Sequence, residues 1–187
     1  PRISTIVFTG SKTVGLEIYK KAVSDFENVE HIRRVIAEMG GKNAIIIDND
    51  ADLDEAVKGT LYSAFGFQGQ KCSACSRAFV VGDAYEVFLE RLSEATKSIT
   101  VAPSSNPAAY VGPVIDAETR DRLMSFIEEA KKECTLVAQA NVPENSSAHF
   151  VTPSVFADIP DGHQIMTKEL FGPVLAVKKA KSFDQAL

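Results

Sequence analysis

The stretch NAIIIDNDADLDEAVKGTLYSAFGFQGQKCSACSRAFVV, residues 43–81, predicts a strand, a helix and a second strand. Apart from Asn43, the first strand (Asn43 to Ile47) is apolar, as expected of a strand that is covered on both faces. Asp52 and Glu55 form a capping-box-like pair at the start of the helix. Apolar residues then recur at helical spacing at Leu53, Ala56, Val57, Leu61, Ala64 and Phe65. An irregular segment over residues 66–77 leads into the second strand, Ala78 to Val81.

The same alternation runs through the rest of the chain. Further strands are predicted over Ser4 to Phe8, His31 to Ala37, Leu136 to Ala138, Phe150 to Thr152 and Val174 to Val177. Further helices are predicted after Gly10-Ser11, from Asp83 and Glu86 onward, and over Ala117 to Lys132. Strands that alternate with helices of this length predict an α/β fold, with a predominantly parallel sheet and helices on both faces.

Composition narrows the class of protein. With 45% apolar and 24% charged residues, the chain of 187 residues resembles an ordinary soluble globular protein. The net charge of -5, with scattered Lys and Arg, argues against nucleic acid or an anionic membrane as the main partner. No apolar run is long enough to span a bilayer, and no signal peptide is recognisable. Because the chain starts at Pro1 and opens directly into a strand, we expect an excised segment of a longer protein.

The loop around Cys72 carries the clearest chemical signal. Small and polar residues surround this thiol in Gln68-Gly69-Gln70-Lys71-Cys72-Ser73-Ala74-Cys75. The adjacent Lys71 would favour the thiolate, which is the reactive form of cysteine. The alternative is that Cys72 is a small buried residue, as intracellular cysteines commonly are.

Cys72 and Cys75 also form a C-x-x-C pair, which allows two other interpretations. A thioredoxin-like pair normally opens a helix after the first strand of its unit, whereas this pair precedes a strand. A zinc site needs about four ligands at close spacing. The remaining candidates are isolated from one another: Cys134, His31, His149 and His163. We therefore expect no metal, a structural role for Cys75, and, from the odd number of cysteines, a reducing compartment without disulfides.

Two other segments lie where sites are expected in a parallel α/β sheet, beyond the carboxyl ends of strands or in connecting loops. Glu38 ends an apolar strand just before Gly40-Gly41 and could be a general base in a partly dry pocket, with a raised pKa. The alternative is a first polar residue emerging into solvent. Gly10-Ser11 lies between a strand and a helix and lacks the Walker-A glycines. This turn could bind a phosphate at the helix N-terminus.

Together these segments resemble the aldehyde dehydrogenase superfamily, in the order expected of it. The matching motifs are Phe8-Thr9-Gly10-Ser11 with Gly15, Glu38-Met39-Gly40-Gly41-Lys42, Gly69-Gln70-Lys71-Cys72, and Lys168-Glu169-Leu170-Phe171-Gly172-Pro173. Within the superfamily, three segments are most similar to the Δ1-pyrroline-5-carboxylate dehydrogenases, also called L-glutamate γ-semialdehyde dehydrogenases. These segments are Ala37 to Asn43, Ser63 to Gly66, and Gln70 to Arg77.

The resemblance implies a role for each motif. Cys72 would be the nucleophile and Glu38 the base that releases the product. Gly10 and Ser11 would face the diphosphate of NAD. Glu169 would hydrogen-bond the nicotinamide ribose and Phe171 would lie beside the ring, while Ser73 would hold the carboxylate end of the substrate.

The resemblance also implies a function and a domain organisation. The full-length protein would oxidise glutamate semialdehyde to glutamate with NAD in proline catabolism. It would be a homo-oligomer in the cytoplasm, or in the mitochondrial matrix of a eukaryote, fused to or working with proline dehydrogenase. Residues 1–39 would be the end of the cofactor domain and residues 40–187 an incomplete catalytic domain, inactive alone. Two alternatives remain at this stage: another aldehyde as substrate, or a non-catalytic thiol or metal module.

Overall fold

The computed structural model describes residues 3–24, 31–143 and 148–187. The chain forms two compact units, Pro1–Gly41 and Lys42–Leu187. In the first unit, strand β1 (Thr5–Thr9) leads into helix α1 (Lys12–Ser24), and strand β2 (Arg34–Glu38) pairs with β1 in parallel. The assignment of this unit to a cofactor domain stays a prediction.

The second unit is a five-stranded sheet with helices. Its elements in chain order are β3 (Asn43–Ile47), α2 (Leu53–Phe65), β4 (Cys75–Val81), α3 (Ala84–Lys97), α4 (Ala117–Glu133), β5 (Thr135–Gln139), β6 (Ser154–Ala157), β7 (Val174–Ala180) and α5 (Phe183–Ala186). The strand order is β3-β4-β7-β6-β5, and every neighbouring pair is parallel except β5 with β6. The predicted α/β class with a mostly parallel sheet is confirmed.

Strand β7 shows why both faces of the sheet are covered. Leu175 and Val177 pack in one hydrophobic core together with residues of α2 and α3. Val174 and Ala176 pack in a second core with α4. Because successive side chains of a strand point to opposite faces, this alternation places the two helix layers on opposite sides of the sheet. The uninterrupted apolar run at the start of β7 follows from the same arrangement.

Four predicted strands differ from the structure by three residues or more. Strand β2 starts at Arg34 instead of His31, and β7 ends at Ala180 instead of Val177. Strand β4 starts at Cys75, three residues before the predicted Ala78, so the irregular loop is shorter than expected. The strand predicted over Phe150 to Thr152 is wrong, since the chain is irregular there and β6 starts at Ser154. Pro153 has no N–H to donate to the ladder, so pairing starts only after it. Phe150 and Val151 are nevertheless buried, which explains their apolar character.

Within the described residues, no helix is long and apolar enough to cross a membrane.

Candidate active site

The motifs of the second unit meet at the amino ends of three adjacent strands of its sheet. Strands β3, β4 and β7 are adjacent and parallel, so the segments that precede them converge at their amino ends. These segments contain Lys42, Cys72 and the motif from Lys168 to Pro173. We expected the candidate segments beyond the carboxyl ends of strands or in connecting loops, and in this unit they are connecting loops at the amino ends. Among the candidate residues, only Gly10, Ser11 and Glu38 lie at the carboxyl ends of strands, and these strands belong to the first unit.

The loop that carries Cys72 starts with an unusual backbone. After α2 the chain makes a tight turn over Gly66–Gly69, in which Phe67 (φ 54°), Gln68 (φ 58°) and Gly69 (φ 66°) have a left-handed backbone. Two consecutive non-glycine residues in this region are strained, and such strain is frequent at functional sites. The surrounding contacts must therefore hold this turn in place.

Gly69 brings the Cys72 loop against the motif from Lys168 to Pro173. A Cβ at position 69 would lie 2.5 Å from the carbonyl oxygen of Gly172 and 2.8 Å from that of Ala64. Only glycine permits this approach and this left-handed backbone together. Two motifs that are about a hundred residues apart in the sequence are therefore in direct backbone contact.

Two glutamine side chains anchor the same loop to residues 112–115. The Gln68 amide accepts a hydrogen bond from the Gly112 N–H (2.8 Å) and donates one to the Phe67 carbonyl (3.1 Å). Gln70 Oε1 accepts from the Ile115 N–H at 3.2 Å. These contacts explain why glutamine occurs twice around Gly69, which sequence reasoning had not explained.

The three thiols differ in their surroundings, and none forms a disulfide. Cys72 is exposed, whereas Cys75 and Cys134 are buried. Burial raises the pKa of the Cys75 thiol, whose Sγ donates to the Arg77 carbonyl at 3.2 Å. Burial also raises the pKa of Cys134. Cys72 is thus the accessible thiol, and Cys75 has the structural contacts expected of it.

The two residues that flank Cys72 are Lys71 and Ser73. Ser73 is exposed beside it. The ammonium group of Lys71 lies 5.3 Å from the centroid of the Tyr62 ring, a cation–π contact. The effect of Lys71 on the Cys72 thiolate stays a prediction.

The motif from Lys168 to Pro173 presents its two candidate residues to solvent. Glu169 is exposed, and Phe171 is 41% exposed with a left-handed backbone (φ 55°). Leu170, between them, is buried in the core beneath α4. The buried leucine anchors the segment, so the side chains on either side of it are held at the surface.

Lys42 is a feature that sequence reasoning missed. Its Nζ is buried and has no hydrogen-bond partner among the described residues. Burial and, to a smaller extent, the charge of Arg77 lower the pKa of Lys42 to about 8, although Glu169 and Cys75 act in the opposite direction. Lys42 and Glu169 therefore interact electrostatically at the amino ends of the strands. A lysine directly after two glycines gave no sign of burial in the sequence.

The first unit brings its own candidate residues together. The carbonyl oxygen of Glu38 accepts a hydrogen bond from the Gly10 N–H at 3.0 Å. Ser11 caps α1, since its Oγ accepts from the Val14 N–H at 3.4 Å. Gly40 turns the chain with a left-handed backbone (φ 90°). The Glu38 side chain is exposed, so this unit alone does not supply the partly dry pocket that we predicted.

No group of three His, Cys, Asp or Glu side chains suited to a metal ion occurs in the ranges that the structure describes.

Comparison with known proteins assigns the chain to a family. The model of the aldehyde dehydrogenase family matches residues 1–187. The chain is 46% identical over its full length to a 1-pyrroline-5-carboxylate dehydrogenase from Geobacillus sp. (strain WCH70) and covers 36% of that protein. It is 44% identical to 1-pyrroline-5-carboxylate dehydrogenase 2 of Bacillus subtilis (strain 168), with the same coverage. The chain thus spans about a third of the length of these relatives.

Solved structures of related proteins have the same fold as this chain. The 1-pyrroline-5-carboxylate dehydrogenase from Thermus with bound NAD has a TM-score of 0.92 and 42% identity, covering 100% of this chain and 36% of that one. Proline utilization A from Bdellovibrio bacteriovorus has a TM-score of 0.95 and 52% identity, covering 98% of this chain and 19% of that one. The chain therefore belongs to the aldehyde dehydrogenase family.

Proposed function

We propose that the full-length protein containing this chain oxidises L-glutamate γ-semialdehyde to L-glutamate with NAD⁺. The relatives named 1-pyrroline-5-carboxylate dehydrogenase match the whole chain at 42–46% identity. The structural observation that carries the proposal is the exposed Cys72 thiol. It lies in a strained, well-anchored loop that contacts the motif of Glu169 and Phe171.

Each unit carries residues that suit one part of a dinucleotide. Gly10 and Ser11 are exposed and directly precede a helix of 13 residues, whose N-terminus favours a phosphate group. Glu169 is an exposed carboxylate that can accept hydrogen bonds from ribose hydroxyls, and the exposed Phe171 can contact an aromatic ring. When bound, NAD⁺ supplies the hydride acceptor of the reaction.

Cys72 performs the covalent chemistry in this proposal. Its thiolate attacks the aldehyde carbon and forms a thiohemiacetal, whose oxyanion accepts a hydrogen bond from the Cys72 N–H. Loss of hydride from that carbon leaves a thioester on Sγ. Glu38 then takes a proton from water, which attacks the thioester carbonyl, and glutamate leaves as the Cys72 thiol is restored. Ser73 holds the substrate carboxylate through its exposed hydroxyl.

The relatives also point to a partner activity. Some of the matching structures are proline utilization A, one of which is described as bifunctional. We propose that this protein works with proline dehydrogenase, either in one chain or as separate proteins, and that it is a homo-oligomer.

The substrate is tested by an NADH absorbance assay of the full-length protein against several aldehydes. A methylmalonate-semialdehyde dehydrogenase from Oceanimonas doudoroffii shares the fold at a TM-score of 0.90 but only 29% identity, so its substrate belongs in the panel. We expect glutamate semialdehyde to give the highest kcat/KM and Cys72→Ala to be inactive. A higher kcat/KM for another aldehyde would replace the substrate without changing the chemistry.

Glu38 is tested by pre-steady-state kinetics of Glu38→Gln in the full-length protein. A positioned base contributes roughly 10²–10⁴-fold to the rate, and Gln cannot accept the proton of water. We expect one burst of NADH, equal to the enzyme concentration, followed by a stalled thioester that mass spectrometry detects on Cys72. Normal turnover of Glu38→Gln would mean that Glu38 is only a strand-end residue.

A further inference from the structure

Asn43 contacts the Cys72 loop directly. It is the first residue of β3 and lies at the amino ends of the strands, as the loop does. Its Nδ2 donates to the carbonyl oxygen of Cys72 at 2.7 Å and to that of Ala74 at 3.3 Å. A primary amide carries two N–H donors. Both are therefore engaged, one on each side of Ser73.

The backbone of residues 42 and 43 strengthens this junction. Ser76 Oγ donates to the Asn43 carbonyl at 3.4 Å, and the Arg77 guanidinium donates to the Lys42 carbonyl. The pairing of β3 with β4 is irregular here, because Asn43 is opposite Cys75 and Ala44 is opposite Arg77. Ser76 is the extra residue of this bulge. The side-chain amide of Asn43 thus binds the carbonyls that lie just before the regular ladder.

Other contacts hold the peptide before Cys72 and the start of β4, but not the peptide that follows Cys72. The Ala74 N–H donates to the Lys71 carbonyl at 3.1 Å and closes the turn. The Cys75 N–H donates to Ser63 Oγ at 3.2 Å and fixes the start of β4. The bond from Asn43 to the Cys72 carbonyl fixes the peptide plane that follows Cys72. It therefore restricts rotation about the Cα–C bond of Cys72, which would otherwise reorient Sγ relative to the loop.

We propose that Asn43 is a positioning residue for the Cys72 nucleophile. This inference rests on the proposed function, in which Sγ attacks the aldehyde carbon while the Cys72 N–H faces the oxyanion. Asn43 touches neither substrate nor cofactor in this scheme and acts only through the loop. A misplacement of about 1 Å in a reacting group can cost about 10²-fold in rate, so the loss of this anchor should reduce kcat strongly.

Asn43→Asp is the sharpest variant, because it keeps the size of the side chain and removes both donors. In the full-length protein we expect kcat with glutamate semialdehyde to fall about 10- to 100-fold, while the KM for NAD⁺ changes less than about 2-fold. Asn43→Ala should behave in the same way, and it shows that the effect does not come from the new negative charge.

Asn106→Ala is the matched control. It removes a side-chain hydrogen bond to the Ala108 N–H (3.0 Å) in a separate turn. We expect it to lower the thermal midpoint about as much as Asn43→Ala does, with kcat unchanged. Equal losses of kcat in the two variants would overturn the positioning role, since instability alone would then explain them.

The test separates this inference from the proposed function. If Cys72→Ala is inactive and both Asn43 variants keep kcat within about 2-fold of the wild-type value, Asn43 does not position the nucleophile. If Cys72→Ala keeps its activity, the proposed function fails, and the role of Asn43 fails with it. If Asn43→Ala is too unstable to assay, Asn43→Leu, which is similar in size to Asn, uncharged and without a donor, decides the outcome together with Asn43→Asp by the same criterion.

Discussion

Cys72 and Cys75 are three positions apart in the sequence, yet the structure exposes one thiol and buries the other. Cys75 is the first residue of β4 and faces the core. Cys72 lies in the loop before the strand. Because exposure and ionisation control thiol reactivity, the structure assigns different chemistry to the two halves of the C-x-x-C pair.

We predict that iodoacetamide alkylates Cys72 first. Burial hinders access to Cys75 and Cys134 and raises the pKa of both thiols, so each should react at least about tenfold more slowly. Mass mapping after a brief treatment of the folded chain measures the three rates, with the unfolded chain as the control in which they converge. Preferential labelling of Cys134 would argue against Cys72 as the nucleophile.

Lys42 gives a prediction about stability and pH. Its pKa is lowered to about 8 in the folded chain, from 10.5 in the unfolded one. Between these two pH values the unfolded lysine keeps a proton that the folded lysine has released. The contribution of Lys42 to the free energy of unfolding therefore rises with pH in this window. At pH 7 the buried charge costs on the order of 3 kcal/mol.

Lys42→Met should accordingly stabilise the chain at pH 7, and the gain should shrink as the pH rises from about 8 to 10.5. Urea denaturation at several pH values measures the difference between variant and wild type. Lys58→Met, at an exposed lysine that pairs with Glu55, is the control and should show no such trend. A gain that stays constant with pH would mean that the Lys42 pKa is not lowered.

The helix starts show how one residue type acts differently in two elements. Asp52 caps α2, since its carboxylate accepts from the N–H groups of Asp54 (3.0 Å) and Glu55 (3.2 Å). Asp83 occupies the same position before α3 without a side-chain cap. Its N–H instead donates to Asn49 Oδ1 at 3.1 Å. The predicted cap is thus confirmed for α2, and α3 starts directly after Asp83, as predicted, but without a side-chain cap.

We predict that Asp52→Ala lowers the free energy of unfolding by about 1 kcal/mol, because two N–H groups lose their acceptor. Asp83→Ala is the matched control and should change stability by less than about 0.5 kcal/mol. Urea denaturation at neutral pH compares the two variants. Equal losses would show that the side-chain cap of α2 contributes nothing specific.

On the scale of the whole molecule, the chain spans 36% of the length of its Geobacillus relative. The family resemblance implies that the rest of the protein supplies the second oxyanion donor and most of the adenosine site. Removing one oxyanion donor costs about 10²–10³-fold in rate. Placement of the reacting atoms within about 3–3.5 Å of each other also lowers the activation barrier substantially.

We therefore predict that this chain alone folds but does not oxidise glutamate semialdehyde. Circular dichroism should show a cooperative unfolding transition, because the sheet of the second unit is covered on both faces. Isothermal titration with NAD⁺ should give no micromolar binding, and the NADH assay no turnover. Steady turnover together with micromolar binding would show that the chain contains a complete site.

The α/β class, the bounds of β3 and α2, and the family could all be predicted from the amino-acid sequence, because hydrophobic spacing and short motifs are local signals. Which loops contact one another became clear from the three-dimensional fold alone. Parallel pairing places the amino ends of β3, β4 and β7 side by side, so Gly69 contacts Gly172, Asn43 binds the Cys72 carbonyl and Lys42 is buried near Glu169. These contacts join residues that are 29 to 127 positions apart, and no local pattern records such a distance. They depend on strand order and register, which arise when the whole sheet assembles.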